Sequence, residues 1–163
     1  MLKTEQFDRL YSDHAGRLYS FLAYRTGDSA LAEDLLADTF ERALRGRRGF
    51  DRRRASEKTW LYSIALNCLR DNARRGATES RAYERAAAGI PAGQDSAGLD
   101  AVERSGDLEH ALERLSDEER EAIALRFGAD LTVPEIAKLS NERLTTVEGR
   151  VYRALRKLRD DLE

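Results

Sequence analysis

Cysteine occurs once in this 163-residue chain, at Cys68, so no internal disulfide can form. With only two histidines, His14 and His110, there is no Cys/His set at zinc spacing. A single buriable thiol suits a reducing cytoplasm. Proline occurs twice, at Pro91 and Pro134, which leaves long stretches free of helix breakers. No apolar run approaches the roughly 20 residues of a membrane span, so membrane insertion is not expected. The opening MLKTEQFDRLYSDH has no apolar core of the kind a secretion signal needs. No alternating strand pattern is present. A Ser/His/Asp set, a paired-carboxylate site and a phosphate loop are missing as well, so neither enzyme activity nor a cofactor is expected. His14 falls on an apolar stripe and reads as a core histidine.

Charge is abundant instead: 36% of residues are Asp, Glu, Lys or Arg, for a net of −2. Its distribution is uneven. Residues 1–76 carry 15 basic and 11 acidic side chains, residues 77–107 carry 3 and 6, and residues 108–163 carry 10 and 13. A chain this acidic overall is no general polycation. Any nucleic-acid binding must come from local basic faces, with a partner helping to hold the chain on DNA.

The first segment is helical. Phe7, Leu10, Tyr11, His14, Leu18, Phe21 and Leu22 share one stripe. A division of that stripe near His14 would make a further helix. Gly27-Asp28-Ser29 interrupts it, with Ser29 as N-cap of a second helix over 30–45, whose apolar side is Leu31, Leu35, Leu36, Phe40, Ala43 and Leu44. A basic loop, RGRRGFDRRR at 45–54, precedes a helix over 56–75. There Trp60, Leu61, Ile64, Ala65 and Cys68 bury one side, and Asn67, Arg70, Asp71 and Arg74 occupy another. Residues 77–107 are rich in Ala, Gly, Ser and acidic side chains and read as a flexible linker with a helical start over 77–88. A connection this long favours two domains.

The last segment is also all helix. A short helix covers 108–115, and Ser116-Asp117-Glu118-Glu119 is a capping box opening the next, which ends at Phe127-Gly128. Thr132-Val133-Pro134-Glu135 is a second capping box, and Thr145-Thr146-Val147-Glu148 a third. Between the last two lies a helix-turn-helix pattern. Ala137 is small enough for close helix approach, Asn141 suits the left-handed turn, and Val147 packs back under Ala137. The final helix carries Val147, Val151, Ala154, Leu155 and Leu158 on one face and Arg150, Arg153 and Lys157 on another. A buried seam beside a basic stripe suits a helix that enters the DNA major groove. A helical hairpin with a solvated charged face has the same pattern.

Three segments together resemble a known family. ALAEDLLADTFERAL at 30–44 is similar to the second conserved region of bacterial sigma factors, and KTWLYSIALNCLRDNARR at 58–75 to the melting and −10-reading segment of the extracytoplasmic-function type. The stretch from 112 to 159 resembles that family's −35-reading domain. The fold this implies is all-α: an N-terminal helical bundle over 1–76, a linker over 77–107 and a helix-turn-helix domain over 108–163. The implied function is binding of core RNA polymerase and promoter-specific initiation, with promoter DNA and an anti-sigma protein as further partners and a monomer when free. By the resemblance, Asp34, Leu35, Asp38, Thr39, Glu41 and Arg45 meet the polymerase. Asp34, Asp38, Glu41 and Arg45 also form a polar stripe, which by periodicity alone is an ordinary solvated face. Ala37 stands where the family often has Gln.

Melting and −10 reading would fall to Phe50, Trp60, Tyr62, Ile64, Ala65, Asn67, Arg70 and Arg74. An unstacked base needs apolar walls and an edge-reading amide, which Asn67 can supply as both donor and acceptor. Trp60, one turn before Ile64, suits core and base wedge equally. Leu66 replaces a residue that is often basic. At the −35 element the candidates are Thr145, Thr146, Glu148, Arg150, Arg153 and Lys157, with Arg150 and Arg153 as readers or phosphate clamps. Glu148 and Gly149 depart from the family's usual Lys or Arg and Ser. Glu148 either caps Thr145 or faces DNA, and Gly149 either weakens the helix or permits close approach. A conventional helix-turn-helix regulator, dimeric on a palindrome, and a sigma-like protein that binds polymerase or anti-sigma without promoter activity are the rival readings.

Overall fold

The computed structural model describes residues 2–87, with side chains as far as 76, and residues 110–162. All regular structure in these residues is helical. The chain divides into two compact units, Met1–Gln94 and Asp95–Glu163.

In the first unit α1 spans Thr4–Thr26, α2 Ser29–Gly46 and α3 Glu57–Ala87. The stripe from Phe7 to Leu22 forms one unbroken helix, with no division at His14. His14 is part-buried, and burial pushes its pKa below the usual imidazole value. The Gln6 side chain reaches back to accept from the Lys3 N–H at 2.9 Å. Gly27 closes α1 at φ 67°, a left-handed conformation that favours glycine. The cap of α2 lies one residue before the expected Ser29. The Asp28 carboxylate accepts from the amides of Ala30 and Leu31 at 3.0 and 3.2 Å. A carboxylate satisfies two orphan donors and complements the positive end of the helix, which the Ser29 hydroxyl cannot match.

A 3-10 turn, Arg47–Gly49, leads from α2 to the buried Phe50. The Leu2 N–H donates to the Arg47 carbonyl at 3.0 Å and straps the N-terminus to this turn. Ser56 then opens α3 by accepting from the Thr59 N–H. The core of the unit is Leu10, Leu18, Phe21, Leu22, Leu35, Phe40, Leu61, Tyr62, Leu66 and their neighbours. Phe40 meets Phe7 and Tyr11 edge-on, and Phe21 meets Tyr62 in the same way. Each buried Leu or Phe contributes about 1.5–3 kcal/mol of transfer free energy. The expected linker begins inside α3, whose backbone stays helical through Ala87; the rest of the expected linker to 107, and the start of the 108–115 helix, lie outside the described residues.

The second unit has a helical turn at 110–113, then α4 over Asp117–Ile123, α5 over Val133–Ser140 and α6 over Leu144–Leu162. The Ser116/Glu119 and Thr132/Glu135 capping boxes both form. A single π turn, Ala124–Gly128, extends α4 to the glycine where the helix was expected to end. The third capping box does not form. The helix is already wound at Leu144, with the Arg143 carbonyl accepting from the Val147 N–H, so Thr145 lies within the first turn. Asn141 adopts φ 55° and ψ 45°, and the Glu142 N–H closes the turn on the Ala137 carbonyl at 2.9 Å. Ala137 and Val147 are both buried at this crossing, as the helix-turn-helix spacing requires.

Candidate nucleic-acid and polymerase interfaces

On α2 the residues named for polymerase binding separate by face. Asp34, Glu41 and Arg45 are exposed and Asp38 part-exposed, at spacings that put all four on one stripe. Leu35 and Thr39 are buried, with Leu35 at the edge of the stripe, lining the same cleft as Asp34 and Asp38. The Thr39 hydroxyl is spent on the Leu35 carbonyl at 2.7 Å. The burial of Leu35 and Thr39 in the free chain anchors the helix that carries the stripe. Arg42 bonds Asp38 on its own helix and reaches Asp71 of α3 at 2.9 Å. That hydrogen bond holds the Asp71 carboxyl below its ordinary value. Between α2 and α3 lies a cleft of about 240 Å³ lined by Leu31, Asp34, Asp38, Arg42, Asp71 and Asn72.

α3 presents a second face. Trp60 and Ile64 are part-exposed, while Asn67, Arg70 and Arg74 are exposed, one helical stripe at i, i+4, i+7, i+10 and i+14. Asn67 has no side-chain hydrogen bond to any described residue, so its amide is available. Arg74 bonds Asp71. Tyr62 and Ala65 point the other way and are fully buried. Burial pushes the Tyr62 pKa up to about 12, and its hydroxyl finds no partner among the described residues. Phe50 is buried too, with its ring centroid 5.0 Å from that of Trp60. Phe50, Tyr62 and Ala65, expected to wall a base pocket, lie in the core of the free chain. They form the core beneath the surface that Trp60, Ile64 and Asn67 present. The flanking Arg48, Arg52, Arg53 and Arg54 are exposed, with Arg52 paired to Glu57.

The stripe on α6 also separates. Arg150 forms a two-pronged ion pair with Glu142, both contacts at 2.6 Å, with side chains 23% and 30% exposed. The hydrogen bond to Glu142 raises its pKa, and Glu118 and Glu121 of α4 add to the effect. Lys157 donates to Glu119 at 2.7 Å. Glu119 is buried, and its desolvation is outweighed by Lys157 and Ser116, which leaves its pKa lowered. Arg150 and Lys157, both expected to serve DNA, are engaged by carboxylates of their own domain in the free chain. Arg153 is exposed and forms no ion pair with a described residue. Thr145, Thr146 and Glu148 are exposed, so Glu148 faces solvent rather than capping Thr145. The side of α6 opposite the buried Val147, Val151 and Ala154 also carries Tyr152, 65% exposed, and Arg156. Sequence reasoning missed both. Their signal was position: they are furthest in angle from the apolar seam.

Comparison with known proteins matches residues 10–79 to sigma-70 region 2 and residues 105–158 to sigma-70 region 4. The chain is 30% identical over 171 residues to the ECF (extracytoplasmic-function) RNA polymerase sigma factor SigX of Bacillus subtilis, covering 97% of this chain and 88% of that one. It is 30% identical over 159 residues to the ECF RNA polymerase sigma factor BldN of Streptomyces coelicolor, and spans about 60% of that relative's length. The sigma factor RpoE of Bartonella quintana, solved in complex with the anti-sigma factor NepR, shares the fold with a TM-score of 0.80 at 23% identity, over 98% of both chains. Among the described residues no helix is long and apolar enough to cross a membrane.

Proposed function

The chain belongs to the extracytoplasmic-function type of the sigma-70 family, and from that premise we propose that it binds core RNA polymerase and directs it to a specific set of promoters. The exposed α2 stripe of Asp34, Asp38, Glu41 and Arg45 docks on the polymerase. On α3, Asn67 reads the edge of an unstacked −10 base, and Trp60 and Ile64 give that base an apolar surface. A stacking contact of this kind is worth roughly 1–3 kcal/mol, enough to favour the opened strand over water. Arg70, Arg74 and the basic loop hold phosphates. On α6, Arg153 is the base reader. The hydroxyls of Thr145 and Thr146 contact phosphate, and Tyr152 and Arg156 extend the surface. Glu148 faces the groove, where a carboxylate accepts from a cytosine amino group and disfavours other bases. The chemistry of RNA synthesis stays with the polymerase, in the cytoplasm where it works, and the sigma factor contributes recognition and opening.

The observation that carries this reading is Asn67: an exposed amide with no hydrogen-bond partner among the described residues, on the same stripe as a part-exposed Trp60 and Ile64. A helix that needed only to fold would place leucine or lysine there. The experiment is run-off transcription with core polymerase and this protein on genomic fragments. Discrete promoter-dependent transcripts, absent without the protein, are expected. Tight sequence-specific binding by the isolated chain together with no transcript would favour a conventional regulator instead.

A further inference from the structure

Gly149 lies in the interior of α6, where glycine is a poorer helix former than alanine. The space around it shows what the missing side chain allows. A Cβ built at Gly149 would lie 3.0 Å from Nη1 of Arg153, 3.7 Å from its Cζ and 3.8 Å from its Nη2. The whole guanidinium therefore rests where a side chain at 149 would begin. Helical side chains lean toward the N-terminus, so residue i covers the surface above i−4. Arg153 follows that rule, and its guanidinium lies over the open position at 149. Its two basic neighbours on the stripe, Arg150 and Lys157, are held by Glu142 and Glu119.

We propose that Gly149 is a specificity-determining residue of the −35 contact, its absent side chain leaving the seat that holds the Arg153 fork against the recognition helix. The inference rests on the reading of α6 as the −35 helix. A guanidinium on a free stem sweeps a wide arc and acts as a point charge toward any phosphate. One laid against the helix backbone presents its N–H donors in a fixed plane, the geometry needed for two-pronged contact with the O6 and N7 of guanine. Gly149 touches no base on this account and acts by positioning Arg153.

The test is transcription by holoenzyme assembled with full-length protein, on a promoter library varied at every −35 position, with thermal unfolding of each variant. The wild type should prefer one base strongly at one position. Arg153→Lys keeps the charge but loses the fork, and should flatten that preference by about fivefold to a hundredfold. Gly149→Ala and Gly149→Ser fill the seat, and each should weaken the same preference at the same position by about fivefold or more. The −10 profile and polymerase binding should not change. Gly149→Ala should also melt a few degrees higher, since alanine is the better helix former. Loss of specificity with gain of stability is a pairing that a merely structural glycine would not produce. A Gly149→Ala profile superimposable on wild type, or altered at a position other than the one Arg153→Lys alters, overturns the proposal while leaving the −35 reading standing. A wild-type profile flat at every −35 position overturns the −35 reading itself and this inference with it.

Discussion

Breaking the Glu142–Arg150 pair should cost stability rather than base choice. The perturbation is Glu142→Gln, Arg150→Met and the two together, which removes the charges singly and jointly while keeping side-chain bulk. Both contacts are 2.6 Å and both side chains are roughly three-quarters covered. Fully exposed pairs contribute about 0.2–1 kcal/mol, and hydrogen bonds to charged groups about 1.5–3 when well shielded. A two-pronged pair at this exposure falls between, at about 1–2 kcal/mol of coupling. Arg150→Met should cost less than the loss of the pair suggests for one reason and more for another. The carboxylates of Glu118 and Glu121 lose a nearby cation, but Glu142 can turn to solvent because its backbone N–H, not its side chain, closes the turn. In a small domain each kcal/mol moves the melting temperature by about 4–8 °C, so single variants should melt about 5–10 °C lower. The assay is a double-mutant cycle followed by thermal unfolding. Coupling below about 0.5 kcal/mol would be within the additivity error of unrelated sites and would refute the brace. Transcription across −35 variants supplies the second reading. Arg150→Met should lower all variants in proportion, and a loss confined to one base position would make Arg150 a reader after all.

Asn67→Ala should relax base choice at one −10 position by about 1–3 kcal/mol with the melting temperature unchanged; a flat base profile with a lowered melting temperature would make Asn67 a structural amide. Tyr62→Phe should leave transcription intact and hold or raise the melting temperature, because the hydroxyl it removes is buried without a partner; a selective loss of promoter opening would show that Tyr62 leaves the core to meet DNA. Asp38→Ala with Arg45→Ala should weaken pull-down of core polymerase while helicity by circular dichroism stays constant, and undiminished pull-down would remove the α2 stripe from the interface. The lowered pKa of Glu119 means its ionised form is favoured by folding, so its contribution is fully present above the usual 4.5 and is lost as pH falls through its lower folded value. Unfolding measured from pH 6 downward should therefore show the second unit weakening below about pH 4.5. Glu119→Gln should flatten that slope, and an unchanged slope would show that other carboxylates govern it.

Local chemistry was legible wherever its partners lie within one turn. Ser116 with Glu119 and Thr132 with Glu135 cap as read, and Asn141 takes the left-handed turn between Ala137 and Val147. Thr145 failed because the requirement that Val147 meet Ala137 fixes where α6 starts, and that contact crosses the turn rather than running along the helix. The residues carried over by resemblance divide between core and surface for a different reason. A matched segment transfers positions but not the side of the helix each faces. At 100° per residue Tyr62 and Ala65 point away from Asn67, and Thr39 points away from Asp34, while Leu35 is the i−3 neighbour of Asp38 and lines the same cleft. Both conflicts were present in the spacing.

The basic stripe of α6 could not be resolved by spacing at all. Arg150, Arg153 and Lys157 have the same chemistry and the same face, but Glu142 and Glu119 engage the outer two from 8 and 38 residues away. The acidic balance of the second unit thereby acquires a structural meaning: Glu142 and Glu119 are spent on two cations of the stripe. Of the three, Arg153 is the one with no ion pair among the described residues, and it is the proposed reader. Each phosphate contact withheld removes sequence-independent affinity, and with it part of the dependence on salt. A recognition helix built this way gives up its grip on random duplex and keeps a contact that can discriminate. That division of labour suits a subunit whose polymerase partner supplies the backbone affinity.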